Sequence, residues 1–257
     1  MGKIITALCV SIFFCACVNS GGSTAANKNS GTQNGFWITL PRQGSLVIIG
    51  VSGRQSKRAA EIEIARDDAA RKAAMYYGVQ ASVENIQNIG PHSLNYFTGY
   101  ELNLDYDRDL AKYADALTYN ANRDVLNIDG SVLIRFSYPA SFPVGISYRF
   151  AREADGSPEW VKHPPEEING FMTGVGYSGR QLYFRDTFEK SCDAAVAALV
   201  SRVSTDVTVE MTSDGDRNAL YTYQQSKAKL DHFLVLEIWV DPKNRSVWTL
   251  AIARKAQ

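Results

Sequence analysis

The residues best placed to do chemistry lie in a hexapeptide that occurs twice. Gly-Val-Ser-Gly-Arg-Gln at 50–55, the first hexapeptide, returns as Gly-Tyr-Ser-Gly-Arg-Gln at 176–181, the second hexapeptide. Each carries an arginine–glutamine pair, Arg54 and Gln55 or Arg180 and Gln181, just before a predicted helix. Backbone amides converge at a helix N-terminus and bind anions, so one interpretation is a small anion, carboxylate or partner contact. The alternative is that each arginine packs over a sheet edge and bonds a carbonyl oxygen, because a cation there opposes the helix dipole.

Two catalytic interpretations of these glycine-rich segments lack support. Both hexapeptides resemble the G-x-S-x-G turn of hydrolases, but arginine replaces the last glycine, and none of the three histidines recurs in the other copy. Residues 174–179 match G-x-G-x-x-G, yet Ile48 replaces the first glycine in the other copy and no βαβ series follows. The sequence contains no H-E-x-x-H and no paired C-x-x-C motif. We expect a noncatalytic protein that uses no cofactor or metal.

The surroundings of the hexapeptide repeat as well. A Trp-x-x-x-Pro stands upstream of each copy, Trp37 to Pro41 and Trp160 to Pro164. An Ala-rich segment and then a Val-Glu pair follow each, and the shift is 126 residues both at the hexapeptide and at these pairs. Self-similarity at this period predicts two tandem copies of one small domain.

Hydrophobic spacing gives each copy the same elements. Strands are predicted over Leu46–Ile49 and Phe171–Val175, and helices over Lys57–Tyr77 and Leu182–Val203. A further strand is predicted over Val79–Ile89. In the first helix, Arg66, Asp67, Arg71 and Lys72 are expected to face outward, and in the second Cys192 is expected to pack as a small apolar residue.

Both copies are expected to end in paired strands. Residues 132–152, through Pro139, align with residues 235–254, through Pro242, at a shift of 103 at Val132 and Pro139 and of 102 at Arg152. The first copy therefore carries an insertion at about 90–122, with a helix over Arg108–Leu117. Its aromatic residues, Tyr96, Phe97 and Tyr100, form either a partner contact or the closed end of a sheet. The predicted fold class is α+β, in which each copy has one long helix packed on its own, mainly antiparallel sheet.

The N-terminus has the pattern of a bacterial lipoprotein signal. Lys3 precedes an apolar stretch of 11 residues, Ile4–Phe14, which is too short to span a bilayer. The following Cys-Ala-Cys resembles a lipobox, in which Cys17 becomes the lipidated first residue of the mature chain, for example with palmitate. The alternative is an ordinary secretory signal with incidental cysteines.

Composition divides the rest of the chain. Residues 17–35 are rich in Asn, Ser, Gly, Thr and Ala and are expected to form a flexible linker after a 1–16 signal peptide. The first domain is placed at 36–152 and the second, with its proline-rich lead-in, at 153–257. The charge is balanced, with 27 basic and 27 acidic residues, so it gives no reason to expect nucleic acid as a partner.

The assembled pattern resembles the Lpp-twenty-type bacterial lipoprotein family and is similar to the N-terminal domain of a flagellar T-ring assembly protein. The second copy carries most of the resemblance: Trp160-Val161, Pro164-Pro165, Gly174 to Ser178, the helix around Ala194 to Leu199, Trp239 to Pro242, and Trp248. The first copy lacks the first glycine and the tryptophan near its terminal strands. The resemblance implies a lipid-anchored envelope protein and brings no catalytic residues with it.

These observations predict a membrane-anchored envelope lipoprotein, placed at the outer membrane and facing the periplasm, that binds an envelope protein or the cell wall. The alternative is a periplasmic lipoprotein that binds a small ligand in a cleft between the two copies, since duplicated domains create such clefts.

Overall fold

The computed structural model describes residues 38–40, 44–89, 95–142, 146, 148, 151–204, 206–214 and 219–256. Within these residues the helices are α1 (Arg58–Tyr77), α2 (Ala111–Ala116), α3 (Glu159–Lys162) and α4 (Phe184–Val203). The strands are β1 (Leu46–Gly53), β2 (Val79–Ile89), β3 (Asn95–Tyr106), β4 (Val125–Ile128), β5 (Ser131–Tyr138), β6 (Glu167–Ile168), β7 (Phe171–Ser178), β8 (Asp206–Asp214), β9 (Ala219–Val240) and β10 (Val247–Lys255).

A three-stranded antiparallel sheet forms the smaller layer, in the order β1-β5-β4. A two-residue Asp129-Gly130 turn joins β4 to β5, and Asp-Gly favours such turns because both positions adopt positive φ. Helix α1 covers this sheet with an alanine-rich face, in which Ala65, Ala69 and Ala73 are fully buried. Small side chains let the helix lie close to β1.

A larger antiparallel sheet has the order β3-β2-β9-β10-β7-β6, with β8 also pairing with β9. The 22-residue strand β9 is long enough to pair with β8 along its first part and with β10 along its second. Helix α4 packs on β7 and β10 through an apolar face that includes Phe188, Leu199 and Val203.

The α+β class with antiparallel sheets is therefore confirmed, but the sheets are not divided between the halves as expected. Strand β2 pairs with β9 over eleven register positions, from Val79 opposite Leu230 to Ile89 opposite Leu220. One apolar cluster likewise combines Ile49 and Leu133 of the first half with the α4 face of the second. The departure from a separate sheet for each copy arises because the apolar residues of β2, Val79, Ala81 and Val83, pack in one cluster with the apolar face of α4.

The two long helices and the strands before them are confirmed, with α1 and α4 ending at the predicted Tyr77 and Val203. The predicted helix at 108–117 is shorter, as α2. The predicted strand pair through Pro139 is wrong, because β5 ends at Tyr138 and the described residues of 139–152 form no strand. In sheet position β5 matches β10 rather than β9, since β5 pairs with β1 as β10 pairs with β7.

Candidate functional site

The first glycine of each hexapeptide lets a strand lie directly against a helix. A Cβ on Gly50 would lie 1.9 Å from the carbonyl oxygen of Ala65, and one on Gly176 would lie 2.0 Å from that of Ser191. Ala65 and Ser191 are themselves 126 residues apart. The close approach of strand to helix backbone explains the glycines without a bound nucleotide.

The two hexapeptide serines bond to backbone rather than to a catalytic partner. Ser52 is fully buried, and its Oγ donates to the Gly53 carbonyl oxygen at 2.7 Å. Ser178 Oγ donates to the Gly179 carbonyl oxygen at 3.1 Å. Neither caps a helix, because α1 and α4 begin after Lys57 and Tyr183 with no side-chain cap bond. Both hydroxyls therefore serve the turn.

The first arginine–glutamine pair lies beside a carboxylate that the chain itself supplies. Glu61 is buried, and its carboxylate accepts hydrogen bonds from the Gln55 N–H at 3.1 Å and from Arg58 Nη1 at 2.7 Å. The Arg54 side chain is 74% exposed, with its Nε 3.9 Å from Glu61. The Arg54 backbone N–H donates to the Gly130 carbonyl oxygen at 2.9 Å. The start of α1 thus already holds a negative group.

The second pair has a neutral group in the equivalent place. Thr187, 126 residues after Glu61, accepts a hydrogen bond from the Gln181 N–H at 2.9 Å. Arg180 is exposed and lines a small recess that Asp129 and Arg245 also line. Arg245 Nε lies 2.9 Å from a carboxylate oxygen of Asp129, so the β4–β5 turn of the first half brings its own anion to this recess.

Arg180 and Gln181 line one recess together, and Arg54 and Gln55 are not among its lining residues. Each pair occupies a turn of its own, close to a carboxylate of the chain: Glu61 at the first and Asp129 at the second. Binding of an external anion or partner at these residues stays a prediction.

A buried ionic cluster, which the sequence interpretation missed, joins β1, α1 and α4. Asp68 is 8% exposed and accepts hydrogen bonds from Lys72 Nζ at 2.6 Å, Arg71 Nη2 at 2.7 Å and the Val51 N–H at 2.9 Å. Burial raises the pKa of Asp68, but Lys72, Arg71 and these bonds outweigh burial and leave the pKa below its ordinary value. Lys72 also lies 4.6 Å from the centre of the Phe188 ring on α4.

The expectation that Lys72 faces outward is wrong, because only 10% of its side chain is exposed. Its Nζ donates to the Ile49 carbonyl oxygen at 2.8 Å as well as to Asp68. The i, i+4 spacing of Asp68 and Lys72 was the available signal. The spacing does not reveal that Lys72 is buried, because the Phe188 ring that lies against it belongs to α4, far away in the sequence.

The buried carboxylate of Glu237 anchors the segments that lead into both halves. Glu237 on β9 is fully buried, accepts a hydrogen bond from Trp160 Nε1 at 2.7 Å and is paired with Arg152. Burial raises the pKa of Glu237 above its ordinary value, and the bonds from Trp160 and Arg152 oppose the rise only in part. Ile38, beside the first lead-in tryptophan, forms a β-bridge with the same residue.

An open groove lies between the two halves of the chain. Its volume is about 520 Å³. Residues 80–82 and 103–105 of the first half line it together with Val203, residues 227–229, Lys255 and Ala256 of the second. Three lysines, Lys227, Lys229 and Lys255, stand against one carboxylate, that of Asp105, beside the apolar Leu104. The groove thus suits a ligand with an anionic group and an apolar part.

The cysteine predictions have different outcomes. Cys192 is buried, as expected for a packed small residue, and burial raises the pKa of its thiol to about 11. Cys17, the signal and the 17–35 linker lie outside the described residues. So do the side chains of Tyr96, Phe97 and Tyr100, although their backbone forms part of β3.

Comparison with known proteins adds no relative: no family model, curated protein or solved structure matches this chain. Within the described residues, no helix has both the length and the apolar character needed to cross a membrane.

Proposed function

We propose that this chain is a noncatalytic, lipid-anchored lipoprotein of the bacterial cell envelope that binds a protein or cell-wall partner. The observation that carries the proposal is that the serine hydroxyls of both hexapeptides, the groups that could act as nucleophiles, are used within the turns. The hydroxyls of Ser52 and Ser178 donate to backbone carbonyl oxygens. The backbone N–H groups of Gln55 and Gln181 donate to side chains of the helices that follow, Glu61 and Thr187. A reactive serine would need a free hydroxyl facing a base, and neither serine meets that need.

The tether rests on the sequence. An apolar stretch ending at Phe14, the Cys17 that follows it and the polar 17–35 linker together favour acylation and a leash at a membrane surface. A second acyl chain would make such an anchor stable, because one chain alone binds only marginally. The resemblance to Lpp-twenty-type lipoproteins supports an outer-membrane location facing the periplasm.

The two halves are further proposed to be tandem copies of one ancestral domain. Support comes from contacts that repeat at a shift of 126 residues: Gly50 on Ala65 and Gly176 on Ser191, then Gln55 on Glu61 and Gln181 on Thr187. Helices α1 and α4 also begin and end 126 residues apart.

The test combines the native N-terminus with envelope crosslinking. Mass spectrometry of the full chain from bacterial envelopes is expected to find an acylated Cys17 as the first residue, and Cys17→Ser is expected to release the protein from membranes. Crosslinked envelopes are expected to contain the chain joined to a partner. An unmodified thiol at the mature start would overturn the anchor, and a chain without partners in every envelope fraction would overturn the binding role.

A second candidate function is small-ligand binding in the groove between the halves, which is favoured by its volume and its three lysines. Anionic amphiphiles are expected to raise the melting temperature, and Lys229→Ala is expected to reduce that rise. Lys190→Ala is the matched control, because Lys190 is exposed and does not line the groove. Equal responses in the two variants would contradict this candidate.

A further inference from the structure

Four strands of the large sheet form two adjacent hairpins that occupy equivalent places in the two halves. β2–β3 follows α1, and β8 with the first part of β9 follows α4. Gln80, three residues after α1, pairs with Asp105, while Asp206, three residues after α4, pairs with Lys227. By position in the fold, β2 therefore corresponds to β8, and β3 corresponds to the first part of β9.

The order of these strands is β3-β2-β9-β8, so the two hairpins meet where β2 pairs with β9. At this junction Glu84 stands opposite Gln225, whose Nε2 donates to Glu84 Oε1 at 2.7 Å. Ala81 stands opposite Ala228, and Val83 opposite Ser226. The β2–β9 junction therefore pairs β2 of the first half with the strand of the second half that corresponds to β3.

The two outer strands of this four-stranded unit are β3 and β8. They belong to the same two types, because β8 corresponds to β2 and β3 corresponds to the first part of β9. Within the described residues β3 pairs only with β2, and β8 pairs only with β9. Leu102 and Leu104 of β3 are only half-buried, although they belong to the apolar face. Long strands with an unpaired edge are templates for pairing with another chain.

We propose that copies of this chain join head to tail, with the outer edge of β8 in one copy pairing with the outer edge of β3 in the next, in the geometry of the internal β2–β9 junction. Strand directions permit this antiparallel pairing, because β2 and β8 run one way while β3 and β9 run the other. The inference rests on the proposed binding role and names a second copy as the partner. Such an interface is heterologous and generates rings or open chains.

The internal register sets the register between copies. Glu84 corresponds to Glu210, and Gln225 to Asn103, so the internal carboxylate–amide pair recurs as Glu210 opposite Asn103 of the next copy. Val209 then stands opposite Leu104, and Met211 opposite Leu102. These apolar pairs replace the more polar internal ones, Val83 with Ser226 and Asn85 with Gln224. Membrane tethering would favour the assembly by raising the effective concentration of the copies.

Paired cysteines in the full chain, in native membranes, test the register. Antiparallel register partners lie about 4.5–5.5 Å apart between Cα atoms, within the range that a disulfide spans. Asn103→Cys with Glu210→Cys is expected to give a ladder of disulfide-linked oligomers after mild oxidation. Each single variant is expected to give no species larger than a dimer.

The matched control is Glu84→Cys with Gln225→Cys, which is expected to close a bond within one chain and to produce no ladder. The proposal is overturned if this control closes while the Asn103–Glu210 pair remains monomeric in the same membranes. Crosslinks to other envelope proteins in that case would leave the proposed binding role standing and remove only self-assembly.

Discussion

Replacing Asp68 with alanine tests whether the buried ionic cluster stabilises the fold. The change removes a carboxylate that accepts three hydrogen bonds. The side chain of Lys72 is only 10% exposed, and of its two acceptors within the described residues, Asp68 and the Ile49 carbonyl oxygen, only the second remains. Removing one partner of a buried ion pair costs about 3–5 kcal/mol, because the other charge stays buried without compensation. The Val51 N–H loses its acceptor in the same step.

Arg71 adds little to this loss, because its side chain is 35% exposed and can turn to water. We therefore expect Asp68→Ala to lower the free energy of unfolding by about 3–5 kcal/mol, measured by urea unfolding with tryptophan fluorescence. Asp67→Ala is the matched control: Asp67 is the exposed neighbour on the same helix, and its removal is expected to change stability by about 0.5 kcal/mol or less.

The pH dependence gives the same test a second measurement. The folded-state pKa of Asp68 is lowered, so its contribution is present above the unfolded-state pKa and is lost as the pH falls through the folded value. The wild-type chain is expected to lose more stability on acidification than Asp68→Ala. Adding Lys72→Met to Asp68→Ala should recover part of the loss, since it removes the stranded charge. Equal stabilities of Asp68→Ala and Asp67→Ala would refute the reasoning.

Three further predictions concern other buried groups. Gly50→Ala is expected to lower the free energy of unfolding by at least about 1–3 kcal/mol, because the new Cβ would overlap the Ala65 carbonyl oxygen. Gly53→Ala is the control and is expected to cost less, since the nearest atom to a Cβ there is 3.9 Å away. Urea unfolding compares the two variants. Because the folded-state pKa of Glu237 is raised, wild-type stability is expected to fall as the pH rises from the unfolded-state pKa through the folded-state pKa. Glu237→Gln is expected to reduce this pH dependence, measured as urea unfolding midpoints across the same range. An unchanged pH dependence in Glu237→Gln would contradict the prediction. The Cys192 thiol is expected to resist a thiol reagent in the native chain and to react after unfolding, and a native reaction that Cys192→Ala abolishes would contradict its burial.

The sequence predicts the local elements well where its own repetition supports them. The 126-residue shift holds from the hexapeptides through the ends of α1 and α4, because the glycine contacts and the helical periodicity are both local. The hexapeptide turns are also local, because Ser52 and Ser178 bond to the carbonyl oxygens of the next residues in the chain. The start of each long helix is less accurate by one or two residues, since neither has a side-chain cap to mark it.

Pairing between distant strands is where the sequence interpretation fails. The Val-Leu pair at 132–133 matches the one at 235–236 in residue type, but β5 occupies the sheet position of β10. Alternating residues in β2 are compatible with any antiparallel partner, so they do not specify β9. Asp68 and Lys72 show the same limit for side chains, because their burial is created by packing against α4.

The first described residues of the chain are bonded to strand β9, and a pull from the N-terminal side would act on these bonds. Ile38 bridges to Glu237 on β9, and the Thr39 N–H donates to the Leu236 carbonyl oxygen at 2.9 Å. At Glu237 the neighbouring strand is β10, whereas β2 and β8 pair with β9 at residues 219–230. A load applied to an outermost strand such as β6 would instead break its two pairs with β7 one after the other. A pull on the N-terminal side would therefore break the short Ile38–Glu237 bridge first, and the load would then reach β1, which eight register pairs join to β5.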